Sequence, residues 1–440
     1  MNIENIFQKF CIFCLSFLIL TGFTLAQKPG STTPRQEKLL NGLKVLMWND
    51  PSTDKVTVKV RVHSGSAFDP QDREGVIKLL SDSIFPNVAA KEFFADELGG
   101  SLEVISNYDY IQINALSRTD QFLTMLETLA AAISNPTIDK ETTAALKVSL
   151  TAKTKELEKD PAYVADRAVS RRLLGTFPYG RPQMGTADSI QKIDFADLRF
   201  AKDRLFTADN ATITISGNID GNLAFRAIRR YFGSWLKSDK KIPSTFRQPD
   251  EPDTKGLELN VPGTGNSEVR FALRGLARND SGFAASQILT RILLERLRAS
   301  YGKSGRKVYA SHDPHVLPGS LILGYESEVR AILPLPMSHQ APASAPAHIH
   351  ANPIYNMFSI SDEEFVQAKT AIQTEVNARE LSNWWLDVDT FKTSAVSNEM
   401  QAFQNTTAAD VRRVAERLSK NPVAVVFVQQ TGDVSQTSRK

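Results

Sequence analysis

Polar side chains interrupt the apolar helical stripe of Gly75–Asn87, GVIKLLSDSIFPN, and Lys78, Ser81 and Asp82 among them are the first candidates for chemistry. Val76, Ile77, Leu79, Leu80, Ile84 and Phe85 recur at helical spacing, with Lys78, Ser81 and Asp82 between them. A lysine on an apolar helix can be a nucleophile of perturbed pKa, but more often it carries its ammonium out to water. Ser81 beside Asp82 offers a hydroxyl and a carboxylate with no histidine base in reach, and a solvated helix face is the expectation. All six histidines (His63, His312, His315, His339, His348 and His350) lie away from this helix in sequence. His348-Ile-His350 has a spacing that binds metal on a strand, yet it sits in a Pro/Ala-rich tract where ordinary exposed residues are expected. His312-Asp-Pro-His315 reads as a turn after a strand, with a weak capacity for surface metal. Trp384-Trp385 is expected to pack, with anchoring of a partner as the alternative.

The only two cysteines, Cys11 and Cys14, fall in an N-terminal segment built like an export signal. Lys9 gives the positive region, CIFCLSFLILTGF the apolar core, and Thr24-Leu25-Ala26 a small-residue cleavage site. Residues 1–26 are therefore expected to be a bacterial signal peptide, with a periplasmic or secreted mature chain. A retained N-terminal anchor is the alternative. The remainder has no disulfide, thiolate metal site or cysteine nucleophile, so its stability must come from buried cores; it is long enough for two. The net charge of +3 is spread without a basic block, which gives nucleic-acid binding no support. No later apolar run is long enough to span a membrane.

Elements that would position these residues follow from period and punctuation. Leu39–Trp48 reads as a hairpin turning at Asn41-Gly42, and Val56–Val62 as a strand with one buried face. A helix over Ala89–Leu98 ends at Gly99-Gly100, strands follow over Ser101–Ser106 and Tyr108–Ser117, and a helix covers Asp120–Ile133. Ile138–Leu174 is a helical tract broken near Asp160-Pro161, whose stretch KTKELEKD is polar nearly all round. Gly175–Ile190 is a loop rich in turn formers, followed by helix Phe195–Leu205, strand Ala211–Gly217 and helix Leu223–Gly233. Leu236–Lys255 is charged, proline-bearing and aperiodic, and reads as a linker. A second unit repeats the order: strands Leu257–Val261 and Val269–Arg274, helix Phe283–Ser300, strands Lys307–Ser311 and Ser320–Tyr325, helices from Asp362 to Leu418, and strand Val423–Val428. The expected fold class is α+β, two related domains (35–235 and 257–432) each with a mixed sheet covered by helices, joined by a linker at 236–256. Leu333–Asn352, rich in Ala, Pro and Ser, is expected to be a disordered insertion.

Several of these stretches resemble the pitrilysin/insulinase-type metallopeptidases, the group that includes the mitochondrial processing peptidase. NGLKVLMWND is similar to that family's opening strand pair, ADELGGSLEVISNYDY to its helix–GG–strand passage, and LFTADNATITISGNID to the strand closing its first domain. FPYGRPQMGTADSIQKI resembles the family's FPYGRP…GT…SI loop almost residue for residue. The resemblance runs from about Glu37 to Thr431. It implies two α+β domains of one superfamily.

It also implies where zinc would be held, and here the chain departs. The family's H-x-x-E-H, two histidine ligands with a glutamate base, corresponds to Lys78, Leu79, Leu80, Ser81 and Asp82. The third ligand, a glutamate some seventy residues on, falls on Lys153, with Glu156 and Glu158 as competitors if the spacing differs. Catalytic zinc needs three protein ligands, and a lysine repels the cation, so no metal or other cofactor is expected. The family's substrate-contacting arginine and tyrosine correspond to Arg298 and Tyr309, with Ser304–Lys307 inserted between them; its glycine-rich loop is replaced by SQILTRILLERLR. The resemblance therefore implies a catalytically inactive, exported homologue that binds peptide as the partner subunit of an active metallopeptidase. A metalloendopeptidase with another ligand set and a stand-alone peptide-binding envelope module remain the alternatives.

Overall fold

A computed structural model describes residues 33–238, 246–302, 305–327 and 359–431. The expected signal peptide and the expected insertion at 333–352, with His339, His348 and His350, lie outside the described residues, as does part of the linker.

In chain order the first half comprises β1 (Arg35–Lys38), β2 (Lys44–Asn49), β3 (Lys55–Val62), α1 (Val76–Ile84), α2 (Ala89–Asp96), β4 (Ser101–Ser106), β5 (Ile111–Arg118), α3 (Phe122–Ser134), α4 (Lys140–Leu157), α5 (Pro161–Leu174), α6 (Ala187–Gln191), α7 (Phe195–Leu205), β6 (Ala211–Gly217) and α8 (Gly221–Phe232). The second half comprises β7 (Leu257–Pro262), β8 (Ser267–Arg274), α9 (Phe283–Tyr301), β9 (Val308–His312), β10 (Ser320–Ser327), α10 (Asp362–Ala378), α11 (Leu381–Phe391), α12 (Val396–Asn405), α13 (Ala408–Ser419) and β11 (Ala424–Thr431).

The strand order is β1-β2-β6-β3-β5-β4 in one sheet and β7-β11-β8-β10-β9 in the other. Without β1 the two orders match strand for strand. In each, the first pair is parallel (β2 with β6, β7 with β11) and the pairs beyond it are antiparallel. A duplicated α+β unit is therefore visible in the backbone, although the two halves share no obvious residue pattern. Local signals place the breaks. Gly42 takes φ +91° between β1 and β2, Gly99 takes φ +60° after α2, and Asp160 caps α5 with Pro161 in its first turn.

Each half lends a helix to the other. α5 lays Ala165, Val169, Leu173 and Leu174 against Ala272, Ile322, Ala424, Val426 and Val428 of the second sheet, an apolar seam. α11 covers the outer face of the first sheet, and that seam is ionic. Arg61 Nη1 donates to Asp387 Oδ1 at 2.8 Å, Arg379 Nη2 to Asp387 Oδ2 at 2.7 Å, and Lys59 pairs with Glu380. His63 sits between the Thr390 and Thr212 hydroxyls at 3.0 Å each, and Lys44 and Thr212 both donate to Asp389. The expectation that β3 buries one face is thus corrected. Val56, Val58, Val60 and Val62 fill the core, while Lys59 and Arg61 are buried as well, because α11 supplies carboxylates to their side.

Candidate functional site

The helix α1 is anchored at its start by a carboxylate. Asp69 accepts from the Gly75 and Ile77 amides at 2.8 Å each, satisfying donors that the first turn leaves unpaired. Burial pushes the Asp69 carboxyl up to about 7, against the lowering effect of those two amides and of Arg181. Arg181, from the FPYGRP loop, donates to the backbone oxygens of Asp69 and Ala67, and Tyr108 donates to the Arg181 carbonyl at 2.7 Å. Gly185 of the same loop takes φ +77°, and a Cβ there would stand 2.1 Å from the Glu74 carbonyl oxygen. Gly185→Ala should therefore cost about 3 kcal/mol, combining a left-handed backbone with a steric clash. A urea midpoint within 0.2 M of wild type, taken with an ordinary slope of roughly 2 kcal/mol/M, would contradict that reading.

The helix that carries Lys78, Ser81 and Asp82 is fully formed, and the contacts of each side chain can be followed. Lys78 and Asp82 form an ion pair one helical turn apart, so the ammonium occupies the carboxylate that a cation would need. Ser81 is buried rather than solvated, and its hydroxyl donates to the Lys78 carbonyl at 2.7 Å. The solvated face expected of Ser81 is corrected: this side chain turns inward and satisfies itself locally. On α4, which packs against α1, Lys153 is exposed and the buried residues are Thr143, Leu150 and Thr154. Glu156 pairs with Lys159 at 2.8 Å and Glu158 with Arg167 at 2.8 Å, so neither competitor carboxylate is directed to α1. Lys78, Ser81, Asp82 and Lys153 do not fit zinc: they present one carboxylate, already neutralised, and two cations. Among the described residues, no cluster of three or more His, Cys, Asp or Glu side chains could hold a metal ion.

A second cluster, which sequence reasoning missed, joins the halves beside this scaffold. Tyr179 of the FPYGRP loop donates to Asp109 Oδ1 at 2.7 Å, and His315 Nδ1 lies 2.7 Å from Asp109 Oδ2. The His315 ring stacks on Tyr179 with centroids 4.2 Å apart, and the Leu317 amide donates to the Tyr179 hydroxyl. Burial raises the Tyr179 hydroxyl far above its ordinary pKa, so it is a donor at neutral pH. His312 is buried too, with Ser286 Oγ at 2.8 Å and the Leu276 amide donating to it at 2.9 Å; burial lowers its pKa to about 4. The ordinary exposed turn expected at His312-Asp-Pro-His315 is corrected: His312 is buried, and His315 is held against Asp109 and Tyr179. The only signal in sequence was the close family likeness of FPYGRP and NYDY.

The two carried-over substrate residues are placed apart. Tyr309, on β9, lies at the α5 seam with the Arg270 guanidinium 5.2 Å from its ring centre, and Arg270 is held by Asp166 at 2.6 Å and Glu268 at 2.5 Å. Burial raises the Tyr309 hydroxyl, keeping it protonated. Asp166 also lines a cavity of about 180 Å³ with Tyr108, Tyr163 and Gly180–Met184. Arg298, at the end of α9, is half exposed and pairs with Glu295 at 2.6 Å. No contact between Arg298 and Tyr309 occurs among the described residues. Trp384 is buried against Phe403, as packing required.

Residues 44–187 match the family model for insulinase, peptidase family M16, and residues 192–315 match the model for the peptidase M16 inactive domain. An uncharacterised zinc protease of Bacillus subtilis is 22% identical over 206 residues, 46% of this chain and 50% of that protein. The probable mitochondrial-processing peptidase subunit beta of Arabidopsis thaliana is 21% identical over 59% of this chain and 50% of its own length. The chain thus spans half to two thirds of the length of the curated relatives it matches. Among solved structures, a peptidase M16 inactive domain from Pseudomonas fluorescens superposes with a TM-score of 0.77 at 18% identity, covering 91% of this chain and 98% of that one. A periplasmic protease of Escherichia coli gives 0.65 at 16% identity, covering 92% and 48%. With both family models matched in succession over residues 44–187 and 192–315, this chain belongs to the insulinase family of peptidases, peptidase family M16.

Proposed function

We propose that this chain is a non-catalytic, exported member of its family that works as the partner subunit of an active zinc peptidase and contacts the peptide substrate. The observation that carries the reading is the Lys78–Asp82 ion pair at the position where the family holds its metal. A preserved scaffold with neutralised ligands suits a protein kept for binding and assembly. The mitochondrial relatives named as beta subunits support a life in an assembly, and the periplasmic relative supports export. Among the described residues no helix is long and apolar enough to cross a membrane.

Metal content is the first check. The purified mature chain should hold no stoichiometric zinc after mild dialysis; about one zinc per chain, lost in Asp82→Ala, would overturn the reading. The decisive experiment is reconstitution with an active homologue from the same host. In that assembly Tyr309 presents a protonated hydroxyl and Arg298 fixed donors to peptide oxygens, and loss of a donor acting on the transition state costs on the order of 10²–10³ in turnover. Tyr309→Phe or Arg298→Ala should slow peptide hydrolysis in the complex. Unchanged rates in both, with assembly verified, would remove these residues from the site. Hydrolysis by this chain alone, abolished by a chelator, would refute the non-catalytic assignment.

A further inference from the structure

Beside the FPYGRP loop, the end of the linker closes a cavity of about 420 Å³ that none of the roles above uses. Three phenyl rings form its apolar wall: Phe68 and Phe246 with centroids 5.3 Å apart, and Phe177 at 6.3 Å from Phe246. Phe68 comes from the turn before α1, Phe177 from the loop after α5, and Phe246 from the linker, so the wall exists only when all three segments are assembled. Three arginines line the same cavity: Arg181, Arg204 and Arg247. Arg204 is exposed and makes no ion pair or hydrogen bond among the described residues. Arg247 has only Asp250, at 3.4 Å, and is largely exposed. Arg181 is nine-tenths buried, and its Nε has no hydrogen-bond partner although its Nη atoms are engaged. Of the two acids lining the cavity, Asp69 accepts from the Gly75 and Ile77 amides and Asp250 faces Arg247, while Arg181 is also paired with Glu74 at 3.6 Å, so Arg204 and Arg247 are the guanidinium groups open to a ligand.

We infer that this cavity binds a carboxylate attached to an aromatic side chain, the chemistry shared by a peptide C-terminus ending in Phe or Tyr and by a free aromatic acid. Guanidinium groups recognise carboxylate through paired N–H donors, and the phenyl wall offers edge-to-face contacts to an entering ring. The site is complete within this chain. It therefore requires neither a partner subunit nor Arg298 and Tyr309, and its failure would leave the partner-subunit reading standing.

The test is isothermal titration of the isolated mature chain with N-acetyl-phenylalanine, N-acetyl-phenylalanine amide, acetyl-Ala-Ala-Phe and the amide of that peptide. A ligand as small as the first should reach a Kd on the order of 1 mM. Both amides should bind at least about tenfold more weakly than their acids, since one charge-assisted pair is lost. Arg204→Gln combined with Arg247→Gln should erase that preference; both side chains are exposed, so folding is spared, and circular dichroism checks it. Phe246→Ala should weaken acid and amide alike. A peptide acid binding more tightly than the free acid identifies a peptide C-terminus as the ligand, and equal binding identifies the free aromatic acid. Absence of saturable acid binding up to about 20 mM, equal affinity for acid and amide, or an acid preference that survives the double arginine variant would overturn the assignment.

Discussion

Asp387→Ala is expected to be the most damaging single substitution on the α11 seam, at about 3–5 kcal/mol. The Asp387 carboxylate is buried and holds two guanidinium groups, Arg61 through Oδ1 and Arg379 through Oδ2. Arg61 is 2% exposed, and its other partners are uncharged: the Gln112 side-chain oxygen at 2.6 Å, the Thr390 hydroxyl at 3.4 Å and the Tyr110 ring, whose centre is 4.1 Å away. Removing Asp387 leaves a cation in a low-dielectric seam with neutral partners alone, and the unpaired charge sets the cost, more than the lost attraction does. The same reasoning predicts that Arg61→Met with Asp387→Leu recovers most of the loss, because neither desolvated charge remains. Urea unfolding of the mature chain checks both, as a shift in midpoint at unchanged slope. A loss below about 1 kcal/mol in Asp387→Ala, or a double variant no better than the single, would show that the seam does not depend on this pair. Limited proteolysis gives an independent readout, since the single variant should be cut earlier between α10 and α12.

That seam also marks where the sequence stopped being legible. Element order could be read because each break carried its own chemistry: Asn41-Gly42 in the first hairpin, Gly99-Gly100 after α2, Asp160-Pro161 between α4 and α5. Periodicity identifies a core face, but it does not say what covers the opposite one. On β3 the residues Lys59 and Arg61 alternate with valines as solvent-facing residues do, and only the arrival of α11 from more than 300 positions away buries them. The same limit applied to His312 and His315, whose partners Ser286 and Asp109 come from a helix and from the other half. The departure from the family's zinc motif was more legible, because a missing histidine is visible without a fold. Its third position was the weaker inference: counting lands on Lys153, which faces water, while the next residue, Thr154, turns inward. A helix turns by about 100° per residue, so an error of one position moves a side chain from one face to another.

His63 makes this ionic seam sensitive to acid, and the sign follows from its burial. Desolvation is the largest influence and lowers its pKa to about 3, with Arg61, Lys392 and Lys44 pushing the same way and Asp389 opposing them. In the folded chain His63 is therefore neutral down to about pH 3, with its two ring nitrogens 3.0 Å from the Thr390 and Thr212 hydroxyls. In the unfolded chain it takes up a proton near its ordinary pKa of 6.5. Between these values the unfolded state binds the extra proton, so stability falls as pH falls from 6.5 toward 3 and is unaffected by this group above 6.5. Each unit in that window removes about 1.4 kcal/mol, for a total of about 5 kcal/mol. His63→Gln retains a donor and an acceptor between the two threonines but cannot titrate. It should be somewhat less stable than wild type at pH 7.5, and the gap should close and then reverse by about pH 4.5. Urea midpoints for both proteins across that range provide the measurement. Parallel curves, with the difference at pH 7.5 preserved at pH 4.5, would mean that His63 is charged in the folded chain or that the seam has already opened before it titrates. Amide exchange on α11 at pH 4.5 separates those two outcomes, since only an opened seam exposes the helix.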